Sequence, residues 1–249
     1  MGKIYEKTYE VNYYDTNYRL ECKIASIMNY FGDIGSKQSE ELGVGFDYLE
    51  ANHCAWVFYK YNIDFKRYPK YGEKITVKTM AKGFKKFYAS RIYQVYDEAG
   101  EIIIEAEGIF LLMDTIKRRA IKIPLDQYEI YGVLDECNNE IKINKIEKLQ
   151  EVMFNQNFKV RYSDIDSNKH VNNVKYVEWA IESVPIEKEL EYEISNIEIV
   201  FQKECSYGAV VNSSCEIIEE DNKLKILHKI EDDKGVELTA MISYWRKIV

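Results

Sequence analysis

The sequence predicts an α+β chain made of two copies of one β-α-β-β-β-β unit. Three observations favour this fold class. Helical and strand-like patterns recur in the same order, short stretches of the two halves match at a steady spacing, and a polar segment without periodicity separates the halves. The predicted bounds are 1–125 for the first unit, 126–150 for the linker and 151–249 for the second unit.

The first half begins with an alternating pattern at 7–14, which predicts a strand. Apolar residues at helical spacing follow from Ile24 onward, and Gly32 and Gly35 predict the end of that helix. A second short helix is expected before Asn52. Four strand-like runs complete the half, and a turn at 97–100 joins the last two as a hairpin. These runs span 55–66, 74–81, 86–96 and 101–113.

The second half repeats this order of elements from Met153 onward. One strand precedes an apolar helical stripe, which Pro185 ends, and four strand-like runs follow. The stripe consists of Val174, Val177, Ile181 and Val184.

Residue matches between the halves indicate a duplication. The stretch 11–15, VNYYD, matches 160–164, VRYSD, at a spacing of 149. Further along, IDF at 63–65 matches IVF at 199–201, and Gly72 matches Gly208, both at a spacing of 136. The drop of 13 between these spacings predicts an insertion in the first half, near 38–52.

A unit of this kind packs well as a strongly curved antiparallel sheet around one long helix, because the sheet then buries the apolar stripe of the helix. This arrangement is the hotdog architecture, and two units in one chain make a tandem, or double, hotdog. Two such sheets can pair edge to edge. We therefore expect either a monomer that is a pseudo-dimer by itself or a homodimer.

Composition narrows the classes of function. The net charge of −8 argues against nucleic acid or an anionic membrane as the partner. No apolar run approaches the roughly 18 residues of a membrane helix, and the N-terminal residues lack the apolar core of a signal sequence. The five cysteines are odd in number and widely spaced, as is typical of reduced thiols. We expect a soluble cytoplasmic protein.

The segment 163–173, SDIDSNKHVNN, concentrates acidic and amide side chains around one of three histidines. Asp164, Asp166 and Asn168 resemble the opening of a calcium loop. That pattern next requires Gly and Glu at positions where this chain has Lys169 and Lys175. We therefore expect no metal ion in this segment.

The same segment leads directly into the second helix. An extended lead-in would direct Asp166, Asn168 and His170 to one side of the backbone. Either Asn172 or Asn173 is a suitable N-cap for the helix. The N–H groups of the first turn and the positive end of the helix dipole would then point at a group bound beside His170.

This segment also carries a family resemblance. The run 166–176, DSNKHVNNVKY, with Trp179 after it, closely resembles the signature of acyl-acyl carrier protein thioesterases, in the bacterial branch related to the plant-type enzymes. Parts of the first half fit too, namely Trp56, 67–69 (RYP) and 118–119 (RR). The resemblance spans the chain. It implies hydrolysis of the thioester that joins a fatty acyl chain to the phosphopantetheine of acyl carrier protein, without a cofactor.

The resemblance implies a set of site residues as well. In that family an Asp, an Asn and a His of this motif act together with a Glu on a later strand and with the Cys that follows it. These roles fall on Asp166, Asn168, His170, Glu204 and Cys205.

The first half lacks all of these groups, so we expect it to serve as scaffold and acyl pocket. At the spacing of 149, Asn17, Arg19 and Glu21 take the places of Asp166, Asn168 and His170. At the spacing of 136, Tyr68 and Pro69 take the places of Glu204 and Cys205.

Two mechanisms remain open for the adjacent Glu204 and Cys205. In the first, Glu204 is the general base for water, Asn168 and His170 orient substrate and water, and Asp166 holds a neighbour in place. In the second, Cys205 is the nucleophile and His170 activates it. Strand alternation puts Cys205 on the core face and Glu204 on the opposite face, although a bulge just after Cys205 would reverse this.

Two rival functions use the same fold, namely a hotdog thioesterase for acyl-coenzyme A and a non-catalytic acyl-binding protein. An acidic carrier protein would need a local basic surface, because this chain is itself acidic. The candidate docking residues are Lys82, Lys85, Lys86, Arg91 and 117–119.

Overall fold

The computed structural model describes residues 2–134, 141, 143 and 145–248. The chain forms two compact units, of which the first comprises Met1–Tyr59 and Phe65–Ile143, and the second Lys60–Asp64 and Asn144–Val249. Each unit combines antiparallel strands with one main helix, so the predicted α+β class is confirmed.

The first unit contains a sheet in the order β1-β3-β4-β5-β2, with β6 paired to β5. The main helix, α1, contacts β1 and β3, and the ring of Phe31 stacks 4.6 Å from that of Tyr93 on β4. The strands are β1 (Ile4–Glu10), β2 (Cys54–Phe65), β3 (Lys74–Lys85), β4 (Tyr88–Tyr96), β5 (Ile102–Asp114) and β6 (Arg119–Ala120). The helices are α1 (Ile24–Glu41), α2 (Phe46–Ala51) and α3 (Leu125–Ile130).

The second unit contains a sheet in the order β8-β11-β10-β9-β7. Residues Lys60–Asp64 of β2 belong to this unit, where they pair antiparallel with 196–200 of β8. The main helix, α4, packs on β9 and β10. The elements are β7 (Phe154–Lys159), α4 (Asn173–Glu182), α5 (Ile186–Glu191), β8 (Tyr192–Phe201), β9 (Val210–Glu220), β10 (Lys223–Asp232) and β11 (Glu237–Lys247).

Helix α1 is longer than predicted. The expected stop at Gly32 and Gly35 is wrong, because the helix continues through both glycines to Glu41. Its buried face includes Ile34, between the two glycines, and Gln38 beyond them. Burial of this face outweighs the roughly 1 kcal/mol that each interior glycine costs relative to alanine.

Strand β1 ends at Glu10, before the end that alternation predicted, and a single helical turn follows. The Asp15 carboxylate closes this turn by accepting the backbone N–H of Asn12 at 3.1 Å. In the second unit Asp164 accepts the backbone N–H of Arg161 at 2.8 Å. These two aspartates therefore close equivalent turns.

The two units share unusual backbone geometry at the predicted spacings. Leu20 and Lys169, 149 positions apart, have positive φ angles of 57° and 66°. Gly72 and Gly208, 136 apart, have φ angles of 78° and 82°. Helix α1 has 18 residues whereas α4 has 10, so the longer helix accounts for most of the insertion. The backbone at these two pairs of positions therefore supports the predicted internal repeat.

The segment predicted as a linker, 126–150, begins inside a helix, because α3 covers Leu125–Ile130. The rings of Tyr128 and Tyr131 pack 5.3 and 5.4 Å from that of Phe84. This part of the segment therefore contributes to the core of the first unit. Cys137 and the other residues of 135–140 lie outside the described residues, as do 142 and 144.

Arg91 is buried, so its expected place on a docking surface is wrong. Its guanidinium donates to the Gln38 side chain and, at 3.1 Å, to Thr79 Oγ1. It also lies 5.5 Å from the ring centroid of Tyr131. The side chain therefore holds α1 and β3 together from β4.

None of the helices in the described ranges is long and apolar enough to cross a membrane.

Candidate active site

The motif loop at 165–171 is a tight turn, so the extended lead-in that alternation predicted is wrong. The backbone N–H of Asp166 donates to the His170 carbonyl oxygen at 2.9 Å, and that of Lys169 donates to the Asp166 carbonyl oxygen at 3.0 Å. The positive φ of Lys169 closes the turn. Asp166 therefore lies across the turn from His170, while Asn168 is exposed near the tip.

Asp166 stabilises this turn through its side chain. One carboxylate oxygen accepts the backbone N–H of Asn168 at 2.8 Å. Aspartate favours turns for this reason, since its short side chain reaches a backbone N–H two residues ahead. Asp166 thereby fixes the position of Asn168.

His170 and Glu204 meet at the centre of the site. His170 Nε2 lies 3.2 Å from a Glu204 carboxylate oxygen, and the two side chains are 24% and 42% exposed. The neighbouring backbone holds the pair in register, because the Val171 N–H donates to the Cys205 carbonyl oxygen at 2.9 Å.

Cys205 has its side chain in the interior, on the opposite side from Glu204. Strand β8 has already ended at Phe201, but the alternation predicted from the sequence still holds at these two residues. Cys205 is 6% exposed, and burial raises the pKa of its thiol. A raised thiol pKa works against formation of the thiolate that a cysteine nucleophile requires.

Helix α4 begins directly after the motif loop. Asn172 is the N-cap, as expected for one of the two candidate asparagines, and its side-chain oxygen accepts the Val174 N–H at 2.9 Å. Its backbone N–H donates to the Asp164 carbonyl oxygen at 2.8 Å, which ties the cap to the preceding turn. The positive end of the α4 dipole therefore lies at Asn172 and Asn173, close to His170 in the sequence.

Tyr176, a residue of the family motif whose helical spacing indicates packing, is buried on α4. The side chain is 2% exposed, and its hydroxyl oxygen is buried. Burial foremost, together with Cys205, Glu204 and Asp166, raises the pKa of this phenol. In the sequence, the sign that this residue differs from its neighbours was a tyrosine hydroxyl among the otherwise mostly apolar buried residues of α4.

The equivalent loop of the first unit has the same backbone but different side chains. Asn17 takes the place of Asp166, and its side-chain oxygen accepts two backbone N–H groups of the turn. Arg19 and Glu21, at the positions that match Asn168 and His170, form an ion pair at 3.1 Å. This loop therefore keeps the turn and lacks the histidine.

No cluster of three or more potential metal ligands occurs among the residues that the structure describes. Asp164, which suggested a calcium loop in the sequence, is engaged by Arg161 at 2.9 Å. Burial opposes ionisation of Asp164, yet the hydrogen bonds from Arg161 lower its pKa.

Residues 2–131 match the family model of the acyl-ACP thioesterase N-terminal domain, and residues 147–247 match that of the C-terminal domain. Together these matches take in both units, so the two-unit fold belongs to a known class of protein with separate N-terminal and C-terminal domains. Specifically, the chain belongs to the acyl-ACP thioesterase family.

Curated relatives match along nearly the whole chain. A chloroplastic acyl-[acyl-carrier-protein] hydrolase of Cuphea viscosissima is 26% identical over 98% of this chain and 63% of its own length. A chloroplastic oleoyl-acyl carrier protein thioesterase of Coriandrum sativum is 25% identical over 99% of this chain and 78% of its own length. The chain thus spans less than two thirds of the first of these relatives.

Solved structures share the fold. The 12:0-ACP thioesterase from Umbellularia californica aligns with a TM-score of 0.87 at 23% identity, covering 98% of this chain and 94% of that chain. An acyl-ACP thioesterase from Bacteroides thetaiotaomicron aligns with a TM-score of 0.83 at 19% identity, covering 98% of both chains. These likenesses confirm the predicted double hotdog fold.

Proposed function

We propose that this chain hydrolyses the thioester of acyl-acyl carrier protein and releases a free fatty acid, with Glu204 as the general base. Family membership and the activities of the curated relatives support the reaction. The observation that carries the assignment of residues is the 3.2 Å contact between His170 Nε2 and Glu204.

The first proposed step is attack by water on the thioester carbonyl carbon. Glu204 takes a proton from the water as the new C–O bond forms. His170 orients the Glu204 carboxylate through its Nε2–H, and Asp166 keeps the loop that carries His170 in its turn. The site therefore supplies an oriented base.

The second step is collapse of the tetrahedral intermediate. Negative charge on the former carbonyl oxygen needs fixed donors, and one such donor is worth about 3–4 kcal/mol. The N-terminal end of α4 and the exposed Asn168 amide are the proposed donors. The C–S bond then breaks, and the phosphopantetheine thiolate takes the proton that Glu204 had accepted.

The alternative, in which Cys205 attacks the substrate, is less well supported by the geometry. The thiol lies in the interior with a raised pKa, whereas Glu204 is half-exposed and contacts His170. A nucleophilic cysteine commonly lies beside a histidine that accepts its proton. Here Glu204 has the place beside His170 Nε2.

A pair of adjacent substitutions tests this assignment. Glu204→Gln keeps the shape and removes the proton acceptor, so turnover should fall by about 10²–10⁴-fold. Cys205→Ala should reduce turnover far less, because the thiol contributes only packing. Turnover is measured as free-acid release from a carrier-bound acyl substrate, and Glu220→Gln, at the exposed end of β9, is the matched control.

The reverse order of effects would overturn the base assignment. An inactive but folded Cys205→Ala variant, with an acyl-cysteine adduct detected by mass in the wild type, would make Cys205 the nucleophile.

The proposed carrier-protein substrate is tested separately from the mechanism. The same acyl group is presented on acyl carrier protein and on coenzyme A, and kcat/KM should be higher for the carrier-bound form. A preference for coenzyme A would favour the first rival function. Tight binding of acyl thioester with no release of free thiol would favour a non-catalytic acyl-binding protein.

The proposed compartment is the cytoplasm. The described cysteines, Cys22, Cys54, Cys205 and Cys215, are all buried free thiols. Free thiols are typical of a reducing compartment, where disulfides do not persist.

A further inference from the structure

The first unit has an exposed surface of tyrosines around its copy of the motif loop. We call it the tyrosine surface, and its five side chains, which are 46% to 75% exposed, are Tyr13, Tyr14, Tyr18, Leu20 and Tyr71. The ring of Tyr13 meets that of Tyr71 edge to face, with the centroids 6.4 Å apart. The backbone N–H of Tyr71 donates to the Leu20 carbonyl oxygen at 2.9 Å. Two segments that are distant in the sequence therefore meet in one surface.

The corresponding surface of the second unit is more polar. Three of the five positions hold polar residues there at the spacing of 149, namely Ser163 for Tyr14, Ser167 for Tyr18 and Lys169 for Leu20. Leu20 and Lys169 have similar positive φ angles of 57° and 66°, so the turn itself does not require an apolar side chain. Folding of the loop therefore does not explain the aromatic and aliphatic residues of the first unit.

The tyrosine surface is large for a monomer. A tyrosine side chain presents about 150–250 Å² when it is fully exposed, so the five partly exposed side chains together present roughly 600–700 Å². The largest apolar patch on a typical monomer is about 300–600 Å². A stable interface covers about 800 Å² on each partner, and tyrosine is enriched in such interfaces. The size and composition of this surface therefore fit a protein–protein contact.

Charge favours a second copy of this chain as the partner. Arg19 and Glu21, the charged residues of the same loop, pair with each other at 3.1 Å, and their side chains are only 24% and 18% exposed. The tyrosine surface therefore presents no net charge, which offers little to a strongly charged partner. Two copies of a chain with a net charge of −8 repel each other least where neither presents charge.

We propose that the tyrosine surface is a homodimer interface, in which two copies meet through the same five residues about a two-fold axis. In such a contact the same patch faces itself, so a patch of uncharged rings is self-complementary. Edge-to-face packing, already present between Tyr13 and Tyr71, continues across the axis. This assembly does not depend on the proposed reaction.

The test is sedimentation velocity on the full chain and on the triple variant Tyr14→Ser, Tyr18→Ser and Leu20→Lys. These changes give the first loop the residues that the second loop has at the same positions, so the variant should fold, as circular dichroism checks. At about 50 µM the wild type should have twice the 29.4 kDa mass of one chain. The triple variant should have the mass of one chain, because its dissociation constant should be at least about a hundredfold higher.

The control is a pair of substitutions on α5 in the second unit, Ile186→Ser with Leu190→Ser. These two side chains are 55% and 53% exposed and lie outside the tyrosine surface. Their replacement should leave the dimer intact. The wild-type dimer should also persist in high salt, because an uncharged contact is not weakened by screening.

Three results would overturn the proposal, namely a monomeric wild type, a dimeric triple variant, or loss of the dimer in the α5 variant. A monomeric wild type whose KM for carrier-bound substrate rises in the triple variant would make the carrier protein the partner instead. A monomeric wild type that binds phospholipid vesicles through these residues would assign the surface to a membrane.

Discussion

His228 lies in the interior of the second unit, where it is 2% exposed. Its Nε2 is 2.8 Å from Ser243 Oγ, and the same oxygen accepts the Trp245 indole N–H at 2.7 Å. Burial lowers the pKa of His228 to about 3. The imidazole is therefore neutral in the folded protein and titrates only after unfolding, so it makes stability depend on pH.

The sign of this dependence follows from the two protonation states. The unfolded chain binds a proton at His228 below about pH 6.5, whereas the folded chain does not until about pH 3. Stability should therefore decline as pH falls below 6.5. From pH 7.5 to 5.5, the protonation of His228 in the unfolded chain should lower the free energy of unfolding by about 1.4 kcal/mol.

The measurement is urea unfolding of the wild type and of His228→Gln across this pH range. The stability advantage of the wild type should shrink by that amount at the lower pH. His53→Asn is the control, because His53 is exposed and has a positive φ of 50°, which asparagine tolerates. A pH-independent difference for His228→Gln would contradict the neutral buried imidazole.

At the residue scale, the motif was the predictable part of the site. Asp166, Asn168 and His170 lie within five positions, so a short stretch of sequence already brings them together. The contact between His170 and Glu204 was implied by the family resemblance alone, because it depends on where a distant segment returns. The buried Tyr176 hydroxyl depends on tertiary packing, which alternation and spacing do not report.

At the scale of elements, strand positions were predicted within a few residues because strong alternation and turn residues mark them, as at the 97–100 hairpin. Errors occurred where local signals competed with burial. The glycines of α1 signalled a stop, yet the buried stripe carried the helix onward. The motif loop alternated like a strand, yet side-chain and backbone hydrogen bonds close it into a turn.

Two neighbouring turns of the first unit form a basic surface. The backbone N–H of Ile123 donates to the Lys86 carbonyl oxygen at 2.7 Å, which brings the β3–β4 turn next to the segment after β6. Lys82, one of the expected docking residues, instead pairs with Glu107 at 2.9 Å. The exposed basic side chains of this surface are Lys85, Lys86, Lys117, Arg118, Arg119 and Lys122. The proposed partner, an acidic carrier protein, would be complementary to this surface.

Reversing charge on this surface should weaken docking. Lys86→Glu with Lys122→Glu should raise KM for carrier-bound substrate about threefold to tenfold and leave KM for a small thioester nearly unchanged. In the wild type, KM for the carrier-bound form should also rise with salt. Lys223→Glu with Lys234→Glu changes net charge equally at exposed sites of the second unit. The docking interpretation would be wrong if the two double variants changed KM equally. It would also be wrong if Lys86→Glu with Lys122→Glu raised KM equally for the carrier-bound substrate and the small thioester.

At the scale of the whole molecule, the second unit is not continuous in sequence. It includes Lys60–Asp64, which pair with β8, and Asn196 donates to the side chains of Asn62 and Asp64 at 2.8 Å. Lys60 also pairs with Glu198 at 3.2 Å. A domain boundary drawn only along the chain, as the sequence suggested, misses this strand segment, because pattern analysis assigns each strand to the half in which it occurs.

A fragment of residues 150–249 should therefore be incomplete. Without Lys60–Asp64 the edge of β8 is bare, and bare edges promote pairing with other chains. We expect the fragment to self-associate or to unfold, as measured by light scattering after size exclusion and by circular dichroism. Coexpression with residues 1–149 supplies the missing strand and should restore a soluble, active species. A monomeric, folded and fully active fragment would contradict this expectation.

The repeated turn at Leu20 and Lys169 separates backbone shape from side-chain chemistry. Both copies retain the strained backbone, although neither has a glycine at that position, while only one copy retains the histidine. The backbone shape of this turn therefore does not depend on the histidine. Asp15 and Asp164, which occur in both copies, close the helical turn just before it. A variant that replaces His170 should accordingly keep the loop conformation and lose only the side-chain chemistry.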